Sequence, residues 1–346
     1  MSAMAAYSSP PNAFPPNAGA VPASDAVLDV EGLSVDIATP RGTLHAVRDV
    51  SFQVRRGETL CIVGESGCGK SITSLAIMSL LPKAARRSAR RLAFLGEDLA
   101  AASPKRINAL RGNKMAMIFQ EPMTALNPAY TIGNQLMESW LQHRGGGAGQ
   151  ARERAIELLG KVGIASAAER LGQYPHQLSG GLRQRVMIAM ALMCGPELLI
   201  ADEPSAALDV TIQAQILRLL ADLQKDLGIA MVLITHDLGV VARIAHRVAV
   251  MYAGEVVEEG TAGKLFASPR HPYTRGLLEC IPVPGRTARG GRLGTIPGVV
   301  PSLVGEFRGC GFRDRCPHAQ PACERTVPVR SVEGHAWRCI LDEVPA

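Results

Sequence analysis

Residues Gly64-Glu65-Ser66-Gly67-Cys68-Gly69-Lys70-Ser71 constrain this chain more than any other stretch. They fit G-x-x-x-x-G-K-[ST], a loop whose backbone N–H groups close around nucleotide phosphates. The apolar run Leu60-Cys61-Ile62-Val63 before it reads as a buried strand, and Ile72 to Leu81 after it reads as a helix stopped by Pro82. Strand, glycine loop and helix is the context the motif needs, because the helix start adds its positive dipole end to the anion seat. Lys70 is expected at the β- and γ-phosphates, and the Ser71 hydroxyl on Mg²⁺. The motif predicts that the chain binds ATP or GTP.

A chain of 346 residues is long enough for about two domains with a full core. Hydrophobic residues make up 47% and charged residues 20%, which excludes a disordered chain. No apolar run reaches the roughly 18 residues of a membrane helix. The best candidate, Val186 to Cys194, is cut off by Gly195, Pro196 and Glu197. The first 24 residues carry no charge and are dominated by Pro, Ala, Ser and Asn. They lack the basic and apolar regions of a secretory signal, so a disordered cytosolic extension is expected. In the cytosol the eight cysteines are expected to be free, catalytic or metal-bound rather than disulfides. Net charge is +6, and the densest basic run spans Lys83, Arg86, Arg87, Arg90 and Arg91. A solvated loop explains that run most simply; an acidic membrane face and nucleic acid are the other readings.

Val27 to Ala38 and Ala46 to Val54 alternate as antiparallel strands joined around Pro40-Arg41-Gly42. Leu198 to Ala201 and Met231 to Ile234 are short apolar runs ending in polar groups, as buried parallel strands do. Between them Ile212, Ile216, Leu219, Leu223 and Leu227 recur on a helical period, capped by Gly228. Val248 to Tyr252 and Glu255 to Val257 read as a hairpin around Ala253-Gly254. Near residue 265 the composition turns to Pro, Gly and Arg, and a boundary is placed there.

The strand Leu198 to Ala201 runs into Asp202-Glu203-Pro204. Beside a phosphate loop, such a strand end offers Asp202 to the Mg²⁺ shell and Glu203 to polarise the attacking water. Leu178-Ser179-Gly180-Gly181-Leu182 opens a further helix and makes a second anion cradle. One nucleotide hardly needs two cradles, so a dimer in which each chain's second cradle covers the other's γ-phosphate is the economical solution.

Phosphate loop, Gln120, Leu-Ser-Gly-Gly signature, Asp202-Glu203, Ala207-Leu208-Asp209 and His236 follow the order and spacing of the ATP-binding cassette (ABC) ATPases. The resemblance covers roughly residues 27 to 265. It implies an α/β P-loop NTPase with a RecA-like core, an antiparallel β subdomain and an α-helical signature subdomain at about 121–190, the whole cassette being 25–265. It also implies that Gln120 senses Mg²⁺ and links the site to a membrane partner. By the same resemblance His236 touches the γ-phosphate, and Asp209 crosses the dimer interface. The loop Phe119 to Pro128, the run Val186 to Leu192 and the segment His271 to Leu278 narrow the resemblance to dipeptide and oligopeptide permease ATPases, first-subunit type. Residues 266–346 are then a small Cys-rich C-terminal region.

Two departures stand out. No aromatic residue occurs between Phe14 and Phe52, where the family stacks a ring on adenine, and Ile37 stands near that place. Adenine is expected to bind more weakly or against an apolar side chain. Leu182 replaces the signature Gln of many cassettes, as in similar peptide-importer subunits.

Cys310, Cys316, Cys323 and Cys339 are spaced C-x5-C-x6-C-x15-C. Structural zinc prefers closer pairs, and four thiolates also suit an iron–sulfur cluster; four reduced, partly buried thiols need no metal. The resemblance implies a [4Fe-4S] cluster with a structural role, zinc second. Cys61, Cys68, Cys194 and Cys280 read as packing or loop residues, and the place of Cys68 in the phosphate loop makes inhibition by a thiol reagent an expectation.

The expected role is the ATPase subunit of a peptide importer, peripheral on the cytoplasmic side of the inner membrane. Expected partners are two permease subunits, a second and non-identical ATPase and, indirectly, an extracytoplasmic binding protein. Nickel and glutathione importers share this subunit type. A soluble cassette ATPase acting on ribosomes or DNA, and an iron–sulfur regulator in which nucleotide only signals, are the readings from other classes.

Overall fold

The computed structural model describes residues 25–206, 208–281, 294–305 and 308–342. The N-terminal extension and Ala207 lie outside the described residues. Two long strands, β1 (Ala26–Thr39) and β2 (Gly42–Arg55), form a hairpin in which Ile37 faces Leu44. β3 (Thr59–Val63) leads into the glycine loop and α1 (Lys70–Ile77). The short strands β4 (Ala85–Ser88), β5 (Arg91–Phe94) and β6 (Glu97–Asp98) complete an antiparallel sheet on β1.

Two expectations change here. The helix after the loop ends at Ile77 rather than running to Leu81. Ser79 takes a left-handed φ of 53°, and Leu80 N–H donates back to Leu75 O at 2.8 Å. That is a six-to-one closure, so the helix stops by its own C-terminal motif, ahead of Pro82. The basic run is not a solvated loop, because it supplies β4 on the edge of β1. Arg87 donates to Ala76 O at 2.6 Å, satisfying a last-turn carbonyl of α1. Arg90 pairs with Glu31 at 3.1 Å and with Asp49 at 2.6 Å, and Arg91 pairs with Asp29 at 2.5 Å. Much of the positive charge is thus neutralised within the fold.

After α2 (Pro104–Leu110) and β7 (Met115–Ile118) comes a helical block. It comprises α3 (Pro122–Ala125), α4 (Ile132–His143), α5 (Ala148–Lys161), α6 (Ala167–Arg170) and α7 (Gly180–Leu192). Leu136, Leu158, Leu159, Ile188 and Leu192 close its core with no exposed surface. The chain returns through β8 (Leu198–Asp202), α8 (Val210–Leu227), β9 (Ala230–Ile234), α9 (Leu238–Ile244) and the hairpin β10 (Arg247–Tyr252) and β11 (Glu255–Thr261). Ala253 and Gly254, both at positive φ, make the hairpin turn. Helix α8 buries Ile216, Leu217, Leu220, Leu223 and Gln224, leaving Leu227 exposed. Its inner face is therefore rotated from the one the apolar period suggested, because Leu217 and Leu220 are drawn into the core.

After α10 (Ala262–Ala267) and α11 (Pro272–Glu279), the tail ends in β12 (Val329–Val332) and β13 (His335–Arg338). The large sheet has the order β12-β13-β11-β10-β3-β9-β8-β7, parallel from β10 to β7. Every residue of β3, β8 and β9 is buried, as strands covered on both faces must be. The tail hairpin extends this same sheet, with Glu258 opposite Trp337.

Candidate active site

The loop between β3 and α1 depends on glycine for more than flexibility. A Cβ on Gly69, at φ 102°, would stand 2.4 Å from Ala46 O, and one on Gly64 would stand 2.2 Å from Met251 O. Neither position admits a side chain, so the loop is pressed against two strands. Lys70, 5% exposed, donates through Nζ to Gly64 O at 2.8 Å and Glu65 O at 3.0 Å. Its ammonium lies over the loop's own curve.

The neighbouring strand end supplies acid. Ser71 Oγ donates to Asp202 Oδ1 at 2.9 Å, tying α1 to the end of β8. Burial pushes the Asp202 carboxyl above the usual carboxylate range, and the Ser71 hydroxyl opposes that shift. Glu203 gathers three groups: Gln120 Nε2 at 3.2 Å, His236 Nδ1 at 3.5 Å and Lys70 Nζ at 3.9 Å. Its backbone sits at φ 43°, a conformation that costs a non-glycine residue on the order of 1 kcal/mol. The strained residue is the one on which the other polar groups converge. Ser66, Gly67, Gly69, Lys70, Ser71, Gln120, Glu203 and His236 line one cleft, which continues past Ala46 and Ile72 to Ile37, Leu44 and residues 300–303.

The signature residues lie elsewhere. Ser179 caps α7 by accepting from Leu182 N–H at 3.4 Å, and Asp209 caps α8 by accepting from Ile212 N–H at 3.0 Å. Gly180 and Gly181 leave room for Leu208 and Ile212, whose carbons would be 3.3 and 3.2 Å from an added Cβ. Ser179, Gly180 and Asp209 are exposed, and none of the signature residues or Asp209 lines the cleft. The phosphate loop and the signature are not brought together within one chain.

Sequence reasoning missed what the tail does to the loop. Arg315 grips the Glu65 carboxylate with both terminal nitrogens, at 2.5 and 3.0 Å. It also donates to Pro297 O at 2.7 Å and Tyr252 Oη at 3.2 Å. Glu65 N–H donates to Tyr273 Oη at 2.8 Å. The Glu65 carboxylate holds the Arg315 guanidinium above its ordinary range. Arg315 lies 250 positions from Glu65, and no local pattern signals such a pair.

One cysteine expectation needs correction. Cys68 has no exposed surface, and burial raises its thiol, so it is not the accessible nucleophile that its place in the loop suggested. The four tail cysteines do line one small pocket, with His271 and Phe312. Among the described residues, however, no group of three or more His, Cys, Asp or Glu is arranged to hold a metal ion. Burial, then the neighbouring thiols, pushes Cys310 up to about 12. Cys323 and Cys339 are buried and Cys310 and Cys316 half-buried, packed as small apolar groups.

A glycine loop at the carboxyl end of a central parallel strand, with an acid-tipped strand nearby, makes this a P-loop NTPase. An ABC transporter family model matches residues 47–206, and the model of the oligopeptide/dipeptide transporter C-terminal region matches residues 257–323. The dipeptide transport ATP-binding protein DppD of Bacillus subtilis is 49% identical over 92% of this chain and 95% of its own length. DppD of Escherichia coli is 50% identical over 91% of this chain and 96% of its own length. A putative peptide import ATP-binding protein of Brucella abortus is 52% identical over 91% and 96%. A dimeric ATP-binding cassette solved in a post-hydrolysis state with ADP and Pi superposes with a TM-score of 0.61 at 26% identity, covering 68% of this chain and 98% of that one. The chain belongs to the ABC transporter family, as one of its ATP-binding subunits. Membership implies an ATPase using ATP and Mg²⁺ and working with membrane-embedded permease partners.

Maleimide treatment of the folded chain should leave Cys68 unlabelled in peptide mapping; rapid labelling would contradict its burial. Arg315→Met should lower stability to urea by about 1–3 kcal/mol, because the Glu65 carboxylate loses its charged partner. Adding Glu65→Gln should restore part of the loss. A wild-type midpoint in the single variant would show that the clamp carries no stability.

Proposed function

We propose that this chain is the ATP-hydrolysing subunit of an importer for dipeptides and oligopeptides. The observation that carries the catalytic part is the convergence of Lys70, Gln120 and His236 on Glu203, beside the Ser71–Asp202 bond. The peptide cargo is inferred from the relatives and from the match of the C-terminal region.

In this reading the loop from Gly64 to Ser71, with Glu65, Ser66, Gly67, Cys68 and Gly69, wraps the phosphates through its backbone. Lys70 turns its ammonium to the β- and γ-phosphates. The hydroxyl of Ser71, the carboxylate of Asp202 and the amide oxygen of Gln120 are hard oxygen donors of the kind Mg²⁺ takes. Bound there, Mg²⁺ supplies charge neutralisation at the β- and γ-phosphate oxygens. Glu203 accepts a proton from the attacking water, and His236 hydrogen-bonds the γ-phosphate. Ser179, Gly180, Gly181 and Asp209 act on the nucleotide of a second ATPase subunit. The exposure of Ser179, Gly180 and Asp209 at the start of α7 and α8, away from the chain's own cleft, supports that division.

No helix among the described residues is long and apolar enough to cross a membrane. By analogy with the peptide-transport relatives, two permease subunits provide the crossing and this chain lies peripherally on the cytoplasmic face, paired with a second, non-identical ATPase. An extracytoplasmic binding protein acts through the permeases. A groove lined by Phe119, Met187, Met190 and Gln135, between β7 and the helical block, supports a permease contact close to Gln120. Phe119 is 41% exposed there, and Met123 nearby in sequence is 63% exposed. The four-cysteine pocket is where the [4Fe-4S] cluster, or zinc, of the resemblance would sit. Its support is that Cys310, Cys316, Cys323 and Cys339 share one pocket. No step of hydrolysis runs through it.

Glu203→Gln should retain ATP binding, lower turnover by at least about 10²-fold and accumulate an ATP-dependent dimer on gel filtration. Turnover at the wild-type rate would remove Glu203 from the mechanism. Anaerobically purified chain should contain iron and acid-labile sulfide with absorbance in the visible. Absence of iron, sulfide and zinc would leave the pocket as packed thiols.

A further inference from the structure

The cleft has two chemically different ends. The phosphate end is charged, whereas the far end is lined by Ile37, Leu44, Val300, Pro301 and Leu303, with Ser302 among them. A nucleotide has the same division, a polyanion at one end and a flat, apolar-faced base at the other. Part of the apolar end comes from a segment more than two hundred residues distant in sequence. β2 is the edge strand of its sheet, and residues 303–305 pair along its free edge. Leu44 bridges Val304, His45 N–H donates to Leu303 O at 3.0 Å, and Gly305 N–H donates to Thr43 O at 3.1 Å. Leu44 thus has Ile37 across from it on β1 and the tail segment on its other side. Leu303 is 5% exposed and anchors the segment, while Val300 and Pro301 remain half-exposed at the cleft.

We propose that Val300, Pro301 and Leu303 of the tail form, together with Ile37 and Leu44, the base-binding slot of this ATPase, and so determine a large part of its affinity for the nucleoside. The inference rests on the phosphate-loop reading, since the loop decides which way a nucleotide lies. The slot grips the base through its faces by apolar contact, without a stacked ring. Removing part of such a wall weakens nucleotide binding but not binding of a bare polyphosphate, which reaches only the loop.

The test uses the full chain, with titration calorimetry of ADP and of inorganic pyrophosphate, neither of which turns over. Val300→Asp and Pro301→Asp should each weaken ADP by about tenfold and leave pyrophosphate within about twofold of wild type. Unchanged ADP affinity would overturn the slot. An equal loss for both ligands would also overturn it, because the segment would then be supporting the loop. Failure of pyrophosphate to bind the wild-type chain would instead sink the phosphate-loop reading. A measurement without substitution runs in parallel: 8-azido-ADP photolabelling should mark the tryptic peptide between Arg292 and Arg308. Label confined to other peptides would overturn the proposal.

Discussion

The register of four parallel strands is the constraint on which the site depends. Ile62 of β3 lies opposite Ile234 of β9, Asp202 of β8 lies opposite the same Ile234, and Ile118 of β7 lies opposite Ala201. The strands therefore end at one level. Gly64, Gln120 and His236 each follow their paired residue by two positions, and Asp202 is itself paired. A slip of one residue would turn the side chains of a strand to the opposite face. Because β3, β8 and β9 are buried on both faces, packing resists such a slip from either side. Hydrophobic burial thus sets the distances between polar groups at the strand ends.

Within that frame the charges are arranged around one strained residue. Asp202 remains inside the sheet and is held by Ser71, whereas Glu203 turns out of the strand at positive φ. Two adjacent carboxylates on a regular strand would point to opposite faces. The left-handed turn breaks that alternation and presents Glu203 to Lys70 at the start of α1, Gln120 after β7 and His236 after β9 together. The backbone cost is held by surrounding bonds, among them Glu203 N–H to Ile234 O at 2.9 Å.

The cleft residues were legible because their signals are local. A glycine loop between an apolar run and a helix, or an acid pair ending a strand, is visible within about ten residues. Gln120 and His236 carry no such signal, and only resemblance to a family pointed to them. The missed features share a different physical origin. Arg87 looked like one member of a solvated run because the carbonyl it caps belongs to a helix end that only the fold brings near. The inner face of α8 was misjudged because its amphipathic period admits two adjacent faces, and the packing of Leu217 and Leu220 decides between them. Cys68 suggested a site for a thiol reagent because it stands in a loop, yet this loop is pressed onto β10 and β2.

The tail illustrates the same limit and shows that the nucleotide cleft is not the property of the cassette segment alone. Its attachments to the rest of the chain include β13 on β11, residues 303–305 on β2, and Arg315 on Glu65. The last two attachments reach opposite ends of one cleft, the apolar end through Leu303 and the phosphate loop through Glu65. Cys316 follows Arg315 directly, and Phe312 packs edge-on against Tyr252 at 5.3 Å, whose hydroxyl Arg315 also holds. The cysteine pocket and the phosphate loop are therefore linked through Phe312, Tyr252 and Arg315. A cassette cut off near residue 265 would keep the phosphate loop, the signature and the acid pair, with the strand register that aligns them, but would lose the Arg315 and Tyr273 contacts that hold Glu65.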